Sequence, residues 1–394
     1  MATLPRGALL AVAISATVYT IVQGLSYPLL ALLLEQAGAQ EWEIGVNAAM
    51  MPVGMVVAGA GGPPLVRLLG ARAVGMSSFC LAALCLLAIK AVETDPVLWL
   101  PLRFVMGFAL ACIFIVTDTW INELTPDASR GRVLGLYSAL LSVGFAIGPG
   151  ILVVAGTRGW IPFLVGAGCT LAALVPLVIV RKQLPDAAGD VGQASGRSFL
   201  GLAPILLLGV VIVAFSEQAV MSLLPVWALA QNFDVRTASI MLAVMSIGSI
   251  VLTFPVGWLA DRLPRGPLTA GCAVVAAGCA ALLALLEGAT VALWPVLFLF
   301  GGTYYAIYVL SLVSLGERFS GQMLVAGTAA FGAAWGLGGI VGPPLVGGVM
   351  TRVGPSGLLS TLSIVFTMLV VVNVAPRLSD RNKRKHASEG RDEV

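Results

Sequence analysis

RKQLPDAAGDVGQASGR, residues 181–197, is the longest polar interruption before the charged end of the chain, and it stands near the middle of 394 residues. Nearly everything around it is apolar. The sequence is 59% hydrophobic and 10% charged, where a soluble protein carries about 25% charged residues. Long apolar runs recur before it, at 8–34, 43–66, 71–92, 97–121, 133–156 and 160–180. They recur after it as well, at 200–229, 237–260, 266–286, 291–315, 323–349 and 355–376. Runs of this length span a bilayer as helices, whereas barrel strands are about ten residues long and alternate in polarity. The expectation is an all-α membrane protein of twelve transmembrane helices. It divides into an N-terminal six-helix bundle (1–181), a linker (182–199), a C-terminal six-helix bundle (200–376) and a charged tail (377–394).

The basic residues orient these helices. With both ends in the cytoplasm, 17 of the 22 Lys and Arg fall on the cytoplasmic side. Four (Lys90, Arg158, Arg236 and Arg352) fall on the other side, and Arg103 lies inside a helix. That asymmetry is the positive-inside pattern, so the net charge of +3 reflects topology and does not call for nucleic acid. The first apolar run is too long for the core of a signal peptide and reads as the first helix. The absence of an N-x-S/T sequon fits a bacterial inner membrane. All six cysteines lie in the apolar runs and read as small packing residues. The sole histidine, His386, is in the tail, which excludes a histidine proton relay or a His-based metal site. No cofactor is expected.

The two halves follow one pattern. Glu123 lies 26 residues before Pro149, and Glu317 lies 26 residues before Pro343. GPPLVR (62–67) matches GWLADR (257–262), and Pro28 matches Pro225, at an offset near 195 throughout. Duplicated units of this kind place a carrier's substrate between its halves, near mid-membrane.

GWLADRLPRG (257–266) resembles the cytoplasmic loop signature G-x-x-x-D-R-x-x-R of the major facilitator superfamily, and the resemblance covers essentially the whole chain. The first copy, GGPPLVRLLGAR (61–72), has Val66 where the family usually has Asp. ELTPDASRGR (123–132) resembles the family's junction between helices 4 and 5, and RFVMG (103–107) its helix 4 arginine motif, with Met106 where Gln is common. GFAIGP (144–149) resembles the helix 5 motif associated with antiporters, without its trailing glycine pair. The acid before Thr119 and Trp120, and the RGR that opens helix 5, look most like the YcaD-like branch. The resemblance implies the major facilitator fold, with two pseudo-symmetric bundles and alternating access.

Charges at the cytoplasmic helix ends form a candidate gate: Arg67, Asp118, Glu123, Arg130, Arg132, Asp261, Arg262 and Glu317. Asp261 and Arg262 are placed to pair with Glu317 or to cap a neighbouring helix end, and Glu123 to pair with Arg130, Arg132 or Arg67. The rival reading is solvated loop charges of little energetic weight. Val66 makes the first-half gate the weaker one.

Three charges remain at membrane depth: Arg103, Asp118 and Glu217. A charge at a helix centre costs about 2.5–3.5 kcal/mol even on the lenient insertion scale, so each is a functional candidate. Asp118 is five residues before Glu123, near the gate, within reach of Arg130 or Arg132; it is a gate residue first and a proton-coupling candidate second. Glu217 is deeper and is followed by Gln218, Ser222 and Pro225. It is the first candidate for proton coupling, able to bind and release a proton as its exposure alternates. Anchoring a cationic substrate and a purely structural acid, Arg-paired or not, stay open beside that role. Arg103 either snorkels outward or, as the resemblance implies, faces inward.

Candidate substrate contacts are Arg103, Glu217 and Gln218 with Tyr19, Gln23, Tyr27, Asn47, Tyr304, Tyr305, Tyr308, Phe331 and Trp335. For each aromatic, packing is an equal alternative. Few charges among many aromatics suit an amphiphilic organic molecule. With no phosphate-binding loop, nucleophile–base pair or metal cluster in the sequence, an enzyme is not expected. The reading is a monomeric, proton-coupled exporter of a small amphiphilic compound. Its rivals are a proton-coupled importer of an organic anion held by Arg103, and a carrier-fold receptor that does not transport.

Overall fold

The computed structural model describes residues 6–126, 129–186, 199, 201–286 and 291–389. Most of the expected linker 182–199 and the last five residues of the tail lie outside the described residues. Among those described, twelve helices are long and apolar enough to cross a bilayer. The first six are α1 (Arg6–Gln36), α2 (Glu41–Leu69), α3 (Ala71–Ala91), α4 (Trp99–Leu124), α5 (Arg130–Ala155) and α6 (Ile161–Val180). The second six are α7 (Pro204–Ala230), α8 (Val235–Ala260), α9 (Arg265–Leu285), α10 (Leu293–Arg318), α11 (Gly321–Val353) and α12 (Gly357–Glu389). The apolar part of α12 ends at Val374, and its backbone continues as helix through the basic stretch beyond.

Local chemistry sets the ends and the breaks. The Gln40 backbone N–H donates to Glu43 Oε2 at 2.8 Å, closing a capping box that starts α2. At the start of α8, Asp234 accepts from the Thr237 N–H at 2.8 Å, and these hydrogen bonds hold its carboxyl below the usual carboxylate range. The seventh apolar run begins near residue 200, but α7 starts at Pro204, whose missing N–H and fixed φ suit a first helical position. Within α6, regular helix stops at Ala172 and resumes at Leu174. Pro176 explains this, because its ring excludes the carbonyl four residues back. Ser15 of α1 donates to the Ala173 carbonyl, at that break, at 2.8 Å.

The duplication visible in the sequence is built into the backbone packing. A side chain on Gly54 of α2 would meet the Phe104 carbonyl of α4 at 2.1 Å, and one on Gly107 would meet the Met51 carbonyl at 2.1 Å. In the second half, a side chain on Gly248 would meet the Phe298 carbonyl at 2.1 Å, and one on Gly301 the Met245 carbonyl at 2.1 Å. All four positions recur 194 residues on. The same shift relates Gly144, against the Thr17 carbonyl at 2.5 Å, to Gly338, against the Val211 carbonyl at 2.4 Å. Such backbone-to-backbone approach is the means by which helices pack without a hydrophobic driving force between them.

The chain forms two compact units. The first contains Met1–Gln193, Glu217–Ala243 and Gly339–Leu358, so it takes in the later part of α7, the start of α8 and the end of α11. The second contains Ala194–Ser216, Val244–Gly338 and Leu359–Val394. It has an apolar core of Phe199, Leu207, Val210, Leu315 and Phe331 with small alanines of α11 between them.

Candidate functional site

The first unit holds several buried polar groups, Arg103 among them. Helix α4 carries this arginine inward, 1% exposed, and not outward to the membrane surface. Its Nη1 donates to the Ser26 carbonyl of α1 at 3.3 Å, and the guanidinium lies 4.8 Å from the centre of the Tyr27 ring. Both contacts are on the residue pair that precedes Pro28 in α1. An arginine held by a carbonyl and an aromatic face keeps its charge without a carboxylate partner.

Four more polar side chains are buried in the same unit: Tyr27 (1% exposed), Asn47 (4%), Gln218 (3%) and Glu217 (6%). Arg103 Nε, Tyr27 OH, Asn47 Nδ2, Glu217 Oε2 and Gln218 Oε1 have no hydrogen-bond partner among the described residues. They come from α1, α2, α4 and α7, which are distant in sequence. Tyr27 interacts electrostatically with both Arg103 and Glu217, and Gln218 packs with Pro52 against Gly339. Each unsatisfied buried group costs about 1–3 kcal/mol, so five in one unit are a concentrated cost of the kind that binding sites bear. Arg103 and Glu217 form no salt bridge among the described residues, so neither neutralises the other directly.

Asp118 is half-buried on α4 and accepts from Asn122 Nδ2 at 3.5 Å, one turn on. It lies within electrostatic reach of Tyr137 on α5, and Tyr137 in turn of Tyr19 on α1, whose ring is 6.0 Å from Phe114. Gln23 is half-buried on α1, one turn before Tyr27. Tyr137 escaped the sequence reading, although it was the one tyrosine of six left without a role.

In the second unit the aromatics form a ladder. Ring centres are 6.4 Å apart from Tyr304 to Tyr305, 5.8 Å from Tyr305 to Tyr308 and 5.0 Å from Tyr308 to Trp335. Phe331 belongs to the apolar core, which is the packing alternative for that residue.

The charged helix ends correct the expected pairing. Glu317 is held by Arg265, through Nε at 3.2 Å and Nη2, and not by Arg262. Asp261 also faces Arg265, at 3.9 Å. Arg262 sits in the turn after α8 and stacks over Trp258 at 3.5 Å, whereas Arg265 opens α9, beside α10. In the first half, Arg67, Glu123 and Arg132 make no ion pair among the described residues; Arg72 pairs with Asp186 at 3.7 Å. Arg72 also donates to the Leu184 carbonyl at 2.9 Å, and Trp120 to that of Pro185 at 2.9 Å.

A contact at the other end of the helices also went unread. Thr351 of α11 donates to Glu41 Oε2 at 3.0 Å and accepts from the Trp42 N–H at 3.2 Å. A side chain on Gly45 would meet the Pro343 carbonyl, and one on Gly347 the Glu41 carbonyl, each at 2.3 Å, so only glycine fits at these approaches. Among the described residues no three His, Cys, Asp or Glu gather as a metal site would require.

The family model of the Major Facilitator Superfamily matches residues 12–343 and 206–393. The chain belongs to the major facilitator superfamily. It is 25% identical over 370 residues to the uncharacterized MFS-type transporter YfkF of Bacillus subtilis (strain 168), covering 89% of this chain and 91% of that one. It is 25% identical over 354 residues to the uncharacterized MFS-type transporter YcaD of Escherichia coli (strain K12 / DH10B), covering 88% and 90%. Its fold is similar to that of the nucleoside transporter NupG (TM-score 0.77, 15% identity, 93% of this chain and 98% of that one). It is also similar to that of a D-xylose-proton symporter (TM-score 0.70, 13% identity, 94% and 97%). This superfamily member is therefore an integral membrane transporter with a secondary-carrier fold that moves a small molecule, and not an enzyme.

Proposed function

We propose that the chain exports a small amphiphilic organic compound in exchange for protons, by alternating access of bundles 1–181 and 200–376 in a bacterial inner membrane. It works as a monomer with both termini cytoplasmic. The observation that carries this reading is the set of buried, unpartnered polar atoms around Arg103, Tyr27, Asn47, Glu217 and Gln218. Glu217 is the proton-coupling carboxylate: it is buried and not paired with Arg103, so its protonation can respond to substrate and exposure. Arg103, Tyr27, Asn47 and Gln218 hold the polar part of the substrate. The aromatic ladder of Tyr304, Tyr305, Tyr308 and Trp335 supports the amphiphilic assignment. Asp118 is the second coupling candidate, near Tyr137. At the helix ends, the Arg265–Glu317 and Arg72–Asp186 pairs serve as gate contacts that form in one state and break in the other.

One observation favours a second reading. Arg103 keeps Nε without a partner among the described residues although almost wholly buried, which suits an organic anion and hence a proton-coupled importer.

Everted membrane vesicles with an internal pH dye test the proposal on lipophilic cations, organic anions and sugars. Export by proton exchange predicts that an amphiphilic cation moves protons and that Glu217→Gln abolishes the signal. An anion signal lost on Arg103→Gln selects the importer. Binding with no flux for any compound overturns both in favour of a receptor.

A further inference from the structure

The second unit holds a cavity of about 240 Å³ at the basic ends of its helices; it shares Arg265 with the gate contact to Glu317 but none of the buried polar residues of the first unit. It is lined from α7, α9, α10 and α12, with Arg265, Gly266, Arg318 and Asn373 among its walls. No acidic side chain among the described residues lines it. Glu317 and Asp261 engage Arg265 through Nε and Nη2, which leaves Nη1 buried and without a partner among the described residues. Arg318, in the last turn of α10, brings a second guanidinium.

The start of α9 adds to this. Its N-cap is Pro264, which offers no side-chain cap, and its first turn has no acidic residue. The orphan N–H groups of Arg265 and Gly266 therefore stay available at a helix end that favours negative charge. Ser311 and Ser314 in the wall direct their hydroxyl protons to carbonyls of their own helix. The charged donors are thus the two arginines, and the rim carries exposed apolar side chains, Leu202 and Ile205.

We propose that this cavity binds a phosphate group. The remaining Nη1 of Arg265, the guanidinium of Arg318 and uncapped helix N–H groups suit a tetrahedral oxyanion, whose several oxygens accept from different directions. The volume admits a phosphate with its substituent, and the group is supplied either by a phospholipid headgroup, with its acyl chains over Leu202 and Ile205, or by a soluble phosphate.

The purified full chain in neutral detergent tests this through its unfolding temperature. It is titrated with inorganic phosphate in one arm, and with phosphatidylglycerol against phosphatidylcholine in the other. The site predicts a saturable rise with at least one of the two phosphate sources beyond that with phosphatidylcholine. A rise with phosphatidylglycerol alone assigns a lipid headgroup, and a rise with inorganic phosphate a soluble ligand. Arg318→Gln, at an exposed side chain, weakens the response about tenfold. Arg318→Lys keeps part of it, and Arg236→Gln, the same charge change at the start of α8, leaves it intact. No saturable rise in either arm, or an equal rise in Arg318→Gln, overturns the proposal.

Discussion

The guanidinium of Arg103 lies 4.8 Å from the ring centre of Tyr27 and forms no salt bridge with the carboxylate of Glu217. Three buried groups of one unit are thereby kept chemically distinct: a cation held by a carbonyl and a ring, a phenol, and an acid. Had the cation and the acid closed on each other, both would be structural. Kept apart, each can answer to substrate or proton.

Tyr27→Phe separates these roles. The ring that faces Arg103 is retained, and the buried hydroxyl without a partner is lost. Thermal stability is expected to hold or rise slightly, since a buried unsatisfied group costs about 1–3 kcal/mol. Transport is expected to fall about tenfold, as for one lost hydrogen bond to substrate. Paired unfolding and uptake assays check both.

Arg103→Lys keeps the charge but gives up the planar fork and its stacking on Tyr27. The expected result is folded protein in the membrane with transport reduced about tenfold or more. Wild-type transport in this variant would show that charge alone suffices.

At the helix ends, a double-mutant cycle distinguishes the two arginines. Arg265 and Glu317 should show a measurable coupling, modest because the pair is solvent-exposed. Arg262 and Glu317 should show no coupling, because Arg262 is engaged with Trp258. Unfolding midpoints of the single and double Gln variants supply the four corners.

Much of this architecture was legible in the sequence. Twelve helices follow from the length of the apolar runs, because a bilayer imposes nearly one length on every span. The duplication followed from Glu123 and Glu317, and the backbone contacts of Gly54 and Gly248 repeat it 194 residues apart. Arg103 and Glu217 stood out because charge is expensive at depth. Partners were harder to read. Arg262 and Arg265 are three residues apart, but Arg262 lies in the turn and Arg265 opens α9, and that decides which of them faces Glu317. The contact of Thr351 with Glu41 joins residues 310 apart and carries no periodic signal. Tyr137 gave little sign, since one aromatic in an apolar helix reads as packing.

The repeated glycines give a paired prediction. Gly54→Leu and Gly248→Leu should each destabilise the chain by about 3 kcal/mol or more, because the new side chain meets a backbone carbonyl that cannot move aside. Gly59→Leu, which meets nothing within 4 Å, should be neutral. Fluorescence-detected size exclusion after heating ranks the three.

The most direct test of the central claim is proton movement against substrate exchange in proteoliposomes, comparing wild type with Glu217→Gln. The account predicts that the variant still exchanges substrate across the membrane when both sides are loaded, yet moves no protons with it. Substrate-driven proton movement that survives in the variant would contradict the account and pass the coupling role to Asp118.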